Sequence, residues 1–443
     1  MAMATNHRTG FPHGIGRVTH VNRTDDLNVA MDMALTPVFR FLPEKALAEC
    51  TATDITDMVW AYRAGTDGPA AAGGAAGGAA GGAVGVGGAE WDRAALEARV
   101  GKVLAARRTL GELKDIPYIP QRSQEWYDMR KQRLTASSIA QAIGQGKYGT
   151  RAELVDNKIR EGLGLPTPFK GNVATQWGVM FEPMASRTYS QQRGGVALYE
   201  FGMLPHPEIA CFGASPDNIS EMGVMVEYKC PYKRAITGEI PKEYQYQMQG
   251  QMAVCGLDEC DYVECGLEKL PNIETYYEVM AGQRRNHGVI LEWIGPGGAL
   301  SYDYSPEELL PAECVSWGRA FGNEKLRGPE GSDAGVSLKT MVFWRLKTLH
   351  ILRVYFQPDV WGALLPQITQ FWGDVVAGRA EAIATGSLNG EIAAKAAADA
   401  GAAEAAANGG GGGADAKKKG AAGAGGGGGA AKRFAFLADS DID

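Results

Sequence analysis

The run 224–231, Val-Met-Val-Glu-Tyr-Lys-Cys-Pro, constrains this chain more than any other segment. Its composition is that of a strand, and Pro231 ends it because proline cannot donate to a sheet ladder. Side chains alternate along a strand. Val224, Val226 and Tyr228 therefore share one face, and Met225, Glu227 and Lys229 share the other. A carboxylate and an ammonium thus point the same way. Ten residues before Glu227, the turn Ser215-Pro216-Asp217-Asn218 brings a second carboxylate to the end of the same hairpin.

The elements around this hairpin follow from spacing. Upstream, Trp177, Phe181, Met184, Ala185 and Tyr189 recur at helical intervals, with Glu182 among them. Pro183 removes one backbone hydrogen bond, so the helix starts or kinks there. Strands are expected at 196–198 and 209–212. Downstream, Gln245, Gln247, Gln249 and Gln251 at period two suggest a strand, but Tyr244, Met248, Met252 and Cys255 recur at helical steps. The methionines and the lack of a β-branched run favour a helix, on which Gln247 and Gln251 share a face. Residues 261–265 read as another strand and 273–294 as further β structure. Residues 295–335, rich in Gly and Pro, read as surface loop. Strand runs at 341–346 and 351–356 then lead to a helix with Trp361, Leu364, Leu365, Ile368, Phe371, Trp372, Val375 and Val376 on one face.

The 60 glycines fall largely in runs that cannot build a packed core. Four units are expected: an N-terminal extension over 1–67 without evident chemistry; a Gly/Ala-rich linker over 68–88; a main domain over 89–388; and a low-complexity tail over 389–443. The main domain opens with an amphipathic helix over 89–115. The tail carries Lys417-Lys418-Lys419 and the tip Lys432-Arg433-Phe-Ala-Phe436-Leu437 followed by acidic residues. The tip suggests a docking peptide or half of a two-part import signal, with a solubilising tail as the plainer alternative. The net charge of −7 leaves nucleic-acid binding to a local basic surface.

Seven cysteines, an odd and irregularly spaced set, argue against a disulfide framework and for a reducing compartment. Cys255, Cys260 and Cys265 recur every five residues, but without a close C-x-x-C pair they read as small buried thiols rather than cluster ligands. No apolar signal core opens the chain, and no segment approaches the roughly 18 apolar residues of a membrane span. A soluble intracellular protein without membrane partners is expected.

Hard oxygen ligands from a few carboxylates suit Mg²⁺, which keeps several waters. Asp217 and Glu227 supply two carboxylates. The backbone carbonyl of Tyr228 and the carboxylate of Glu182 are candidates to complete the shell. Lys229 can orient an attacking water and hold developing negative charge. This is the layout of a metal-dependent phosphodiesterase site. Farther upstream, Arg130, Thr135 and Ser137 bunch at a helix start. They offer either a phosphate pocket or an ordinary N-cap with solvated basic neighbours. Lys233 and Arg234 add basic charge just after the strand.

Taken together, these motifs resemble the lambda-exonuclease / YqaJ-type viral recombinase family of the PD-(D/E)xK nuclease superfamily. The residues that carry the resemblance are Trp126-x₃-Arg130, Leu134-Thr-Ala-Ser137, Gly178-x₃-Glu182-Pro183-x-Ala185, Ser215-Pro-Asp217, Glu227-x-Lys229-Cys-Pro231, Ile240-Pro-x₂-Tyr244 and Gln247-x-Gln249. The likeness covers roughly 120–380, with its motif core in 120–270. It implies an α/β (α+β), restriction-endonuclease-like core, a mixed central sheet flanked by helices. It implies Glu182, Asp217 and Glu227 as metal ligands, Lys229 as catalytic lysine and Gln247 as the glutamine of the active-site helix. Arg130 and Ser137 correspond to the pocket for a terminal 5′-phosphate. The implied activity is Mg²⁺-dependent 5′→3′ digestion of linear duplex DNA in recombination, repair or viral DNA processing, with Mn²⁺ as a substitute metal. Double-stranded DNA ends, a single-strand annealing protein and a trimeric homo-oligomer are the implied partners. The nucleus or a cytoplasmic viral replication site would be the place. A structure-selective endonuclease and a non-catalytic DNA-binding scaffold are the alternatives. The chain departs from the family in its Gly/Ala-rich additions and in the 295–335 segment.

Overall fold

The computed structural model describes residues 23–42, 44–63, 92–166, 172–328 and 335–408. The expected linker over 68–88 and the terminal lysine and aromatic–acidic motifs lie outside the described residues.

Helices α1 (Arg23–Phe41), α2 (Glu44–Glu49) and α3 (Ala52–Arg63) precede the long α4 (Arg93–Lys114). Asp92 caps α4 by accepting from the Ala95 amide at 2.7 Å. Then come α5 (Gln124–Lys131), the short β1 (Leu134–Thr135), a 3-10 turn (Ala136–Ser138), α6 (Ile139–Ala142), α7 (Arg151–Gly162) and α8 (Val173–Gln192). Helix α8 neither starts nor ends at Pro183, which lies inside it.

The principal sheet has seven strands: β2 (Leu198–Tyr199), β5 (Asn218–Ser220), β6 (Met225–Lys229), β7 (Glu259–Leu270), β10 (Ser337–Tyr355), β8 (His287–Ile294) and β9 (Leu300–Tyr304), in that spatial order. The three-stranded sheet β1-β4-β3 uses β3 (Leu204–Pro205) and β4 (Phe212–Ala214). Strands β6 and β7 are parallel, with Glu227 opposite Tyr262 and Lys229 opposite Glu264. Their crossover is α9 (Lys242–Cys255), closed by Gly256 in the left-handed region at φ +64°. The expected strand and helix around Glu227 and Gln247 are thus both present.

The alternation along β6 divides two cores. Val226 and Tyr228 pack with α1, α3, α4 and α8, while Met225 packs with α6, α9 and α12 (Pro358–Thr385). The sheet is mixed and has helices on both faces, as expected. Cys255 and Cys260 are buried in one of these cores and Cys265 in the other, so the five-residue recurrence does not gather the three thiols at one place.

Several expectations change, among them the strands at 196–198 and 209–212, which begin only at Leu198 and Phe212. Residues 273–294 are not all β: Ile273–Val279 is helix α10, capped by Asn272, which accepts from the Thr275 amide. Residues 295–335 are not a loop throughout. Their described residues contain β9 and α11 (Pro311–Arg327), with an irregular turn at Pro296–Gly298. Proline suits the first turn of a helix, and Gly318, on a buried face of α11, lets that helix approach Val289 of β8. Finally, residues 389–408 of the expected tail form α13 (Asn389–Asn408), because Ala is the strongest helix former and Gly is sparse there. The two runs at 341–346 and 351–356 belong to one long strand, β10.

Candidate active site

Glu227 and Lys229 lie on the α9-facing side of β6, both almost wholly buried. Lys229 Nζ is 2.8 Å from Glu227 Oε1. From α9, Gln247 Nε2 donates to Glu227 Oε1 and Gln251 Nε2 donates to Oε2, each at 2.7 Å. The one-turn spacing of the two glutamines is what lets both amides reach one carboxylate. Lys229 also sits over the Tyr244 ring, 4.6 Å from its centroid.

Asp217 comes from the turn before β5 and is half-buried. Its Oδ2 accepts from the Tyr228 amide at 2.8 Å, which fixes the turn to β6. Next to it, Asn218 Oδ1 accepts from Tyr228 Oη and Ser186 Oγ, both at 2.9 Å. Burial, then the negative charges of Glu227 and Glu182, push the Asp217 carboxyl well above the usual carboxylate range, against the pull of Lys229. Three carboxylates thus share one electrostatic neighbourhood. Glu182, on α8, is 39% exposed and lies 3.6 Å from the Arg122 guanidinium. Arg122 itself is held at φ +66°, a left-handed conformation unusual for a non-glycine residue. A cleft between α8, β6 and α9 is lined by Gly178, Glu182, Tyr228, Lys229, Tyr232, Arg234 and Tyr244.

Among the described residues, no three His, Cys, Asp or Glu side chains are grouped closely enough to hold an ion as they stand. The donor chemistry nevertheless fits a hard divalent cation. The donors are oxygens, the clustered negative charge disfavours ionisation of Asp217, and Gln247 Oε1 and Gln251 Oε1 are buried without a hydrogen-bond partner.

The residues expected to take a phosphate, Arg130, Thr135 and Ser137, lie on α5, β1 and the 3-10 turn that follows. Arg130 is buried on α5 and lies over the Trp126 ring at 4.4 Å. Its carbonyl accepts from Lys158 of α7 at 2.9 Å, so α7 anchors the end of α5. Thr135 Oγ1 and Ser137 Oγ are 3.2 Å apart. Neither Thr135 nor Ser138 makes a side-chain capping bond. Trp126 Nε1 donates to Ser215 Oγ at 3.0 Å, joining α5 to the turn that carries Asp217. That bond spans 89 residues of sequence and has no signal in the local pattern.

The basic residues after β6 divide. Lys233 is exposed, next to the Tyr232 ring at 5.2 Å. Arg234 is tied to buried Glu264 at 2.5 Å. Arg122 and Glu264 had no signal in the sequence; Ser215 was marked only as part of the turn that carries Asp217, and Gln251 only by its helical face shared with Gln247.

Residues 125–258 match the model of the YqaJ-like viral recombinase domain. The match contains every expected site residue: Arg130, Thr135, Ser137, Glu182, Asp217, Glu227, Tyr228, Lys229, Lys233, Arg234 and Gln247. The chain is also similar to the uncharacterized protein R354 of Acanthamoeba polyphaga mimivirus, 30% identical over 303 residues, 60% of this chain and 54% of that protein. It therefore spans about half the length of that relative. Among solved structures it is similar to the alkaline exonuclease LHK-Exo from Laribacter hongkongensis, at 21% identity over 60% of this chain and 98% of that one, TM-score 0.38. A phage related exonuclease from Haemophilus somnus 129PT follows at 14% identity over 57% and 96%, TM-score 0.32. Among the described residues, no helix is long and apolar enough to cross a membrane.

Proposed function

We propose that this chain is a Mg²⁺-dependent deoxyribonuclease that hydrolyses linear duplex DNA from its ends, in the 5′→3′ direction. One observation carries the reading. Buried Glu227 is held by Lys229, Gln247 and Gln251, and Asp217 is fixed to the same strand through the Tyr228 amide. So much polar machinery around one carboxylate exceeds what a sheet needs for stability, since burying charge costs free energy. The match of 125–258 to the YqaJ-like viral recombinase domain supports the same reading.

Asp217 and Glu227 would hold the cation, with the Tyr228 carbonyl and with Glu182 once it turns from Arg122. A bound Mg²⁺ supplies charge neutralisation and a more acidic water. Lys229 orients the attacking water and stabilises negative charge developing on the phosphate oxygens. Gln247 keeps Glu227 in a single rotamer. Arg130 binds the terminal 5′-phosphate, with Ser137 and Thr135 as hydroxyl donors; the guanidinium fork suits that group. The lack of capping bonds at Thr135 and Ser138 favours this role over an ordinary helix cap. Lys233 steers the duplex, and Arg234, posed by Glu264, faces the phosphate backbone from the cleft wall.

The test is digestion of duplex labelled at the 5′ or the 3′ end, with Mg²⁺, against a closed circle. Loss of 5′ label first, an intact circle and faster digestion of 5′-phosphorylated ends are expected. Cutting of the circle would favour a structure-selective endonuclease, and no cleavage of any substrate would leave a DNA-binding scaffold.

A further inference from the structure

Helix α9 presents two amides, one turn apart, to a single carboxylate. Gln247 takes one oxygen of Glu227 and Gln251 the other, each at 2.7 Å. The family likeness gives Gln247 a role and Gln251 none. Yet Gln251 is the more deeply buried of the two, 1% exposed against 5%. Each amide spends its N–H₂ group on Glu227 and leaves its own carbonyl oxygen buried with no partner. An unpaired buried acceptor costs free energy, which a methionine of nearly the same shape would avoid. Two such acceptors, on the two side chains that fix one carboxylate, call for hydrogen-bond donors that arrive with a ligand. A hydrated divalent cation brings them, because Mg²⁺ keeps several of its waters on binding.

We propose that Gln251 is a positioning residue of the metal centre. It fixes Glu227 Oε2 through its amide nitrogen, and its buried carbonyl accepts from the cation's hydration shell. Gln247 does the same from the neighbouring turn at Oε1. Lys229 closes the set on Oε1 at 2.8 Å. The Glu227 carboxylate is therefore oriented from α9 and from its own strand before any cation arrives, which is what metal affinity requires of an outer shell. The inference rests on the nuclease reading above.

The probe is Mn²⁺ alone, titrated into the full chain without DNA and followed by the electron paramagnetic resonance of the free ion. Wild type, Glu227→Gln and Gln251→Met are compared. Gln251→Met is expected to weaken Mn²⁺ binding by about tenfold to a hundredfold, with its melting temperature in chelator close to that of wild type. The Mg²⁺ concentration for half-maximal DNA digestion should rise by the same ratio. A role in packing alone would move the melting temperature and leave Mn²⁺ affinity where it was. Should Gln251→Met not fold, Gln251→Asn takes its place; it keeps the amide but withdraws it from Glu227, and the same loss is expected. Mn²⁺ affinity within about twofold of wild type in the folded variant overturns the inference. If Glu227→Gln is weakened and the Gln251 variant is not, the role of Gln251 falls while the nuclease site stands. A wild-type chain that binds no Mn²⁺ removes both.

Discussion

At the scale of single residues, the account depends on which side chains Glu227 and Arg130 touch. Glu227 was legible because a strand has period two, which puts Lys229 on its face; the 2.8 Å contact follows. Gln251 was legible only as a sharer of the Gln247 face, because a helical wheel gives direction and not reach. Arg234 carried an incomplete signal. Its charge was legible but its partner was not: Glu264, 30 positions later, holds it at 2.5 Å. Arg130 makes the sharpest residue-level prediction. Its guanidinium lies over Trp126, which in turn binds Ser215. Arg130→Ala should abolish the rate advantage of 5′-phosphorylated over unphosphorylated ends, a loss of roughly tenfold or more for one charge-assisted bidentate contact. Measuring both ends with wild type and variant checks this. An advantage that survives would return Arg130 to a structural role at the end of α5.

Among elements, the β5–β6 hairpin decides the site, because it sets the distance from Asp217 to Glu227. Its turn contains Gly223 at φ +72°, where a Cβ would come within 2.4 Å of the Ala106 Cβ and 2.9 Å of the Ala106 carbonyl carbon on α4. Both the conformation and the space demand glycine. Gly223→Ala should destabilise the protein by about 2–4 kcal/mol, through left-handed strain and overpacking together. Urea unfolding midpoints at unchanged slope would show it. A neutral effect would mean that α4 yields at this contact. The hairpin was legible only in part: strand β6 was expected, but the turn was placed at 215–218, ahead of β5, and the seat on α4 joins elements more than 100 residues apart. Segment 295–335 failed for the converse reason. Its Gly and Pro content suggested a loop, but Pro311 opens α11 and Gly318 is a close-packing position on it.

Across the whole molecule, the N-terminal helices are not an appendage. Met31, Leu35, Phe39, Ile55 and Val59 share a core with Val226 and Tyr228, on the back of the strand that carries Glu227. A buried ionic cluster ties them further. Arg99 binds Asp32 and Glu259, while Arg353 binds Glu259 and Asp261; Arg193 and Tyr189 also reach Asp261, at 3.0 and 2.8 Å. Nothing in the local sequence announced this cluster, because its members are spread from α1 to β10. Arg353→Met should cost about 3–5 kcal/mol by leaving buried carboxylates uncompensated. Burial opposes the charged form of Asp261, but Arg353 and Arg193 overcome it and hold the carboxyl well below the usual range. At Glu259 burial is likewise outweighed, by Arg353 and Arg99. A depressed folded pKa contributes stability that is present above the ordinary carboxylate pKa of about 4 and lost as pH falls below it. The melting temperature of wild type should therefore drop between about pH 5 and pH 2, and that of Arg353→Met, lower at the start, should drop less over the same window. Parallel curves would deny the cluster its role. The central claim concerns the centre built on Glu227 and Lys229. Its most direct test is the Mg²⁺-dependent digestion of linear duplex by wild type, Glu227→Gln and Lys229→Met, each matched for DNA binding. Digestion should fall by at least about a hundredfold in each variant, with binding retained; digestion at the wild-type rate in either one would contradict the account.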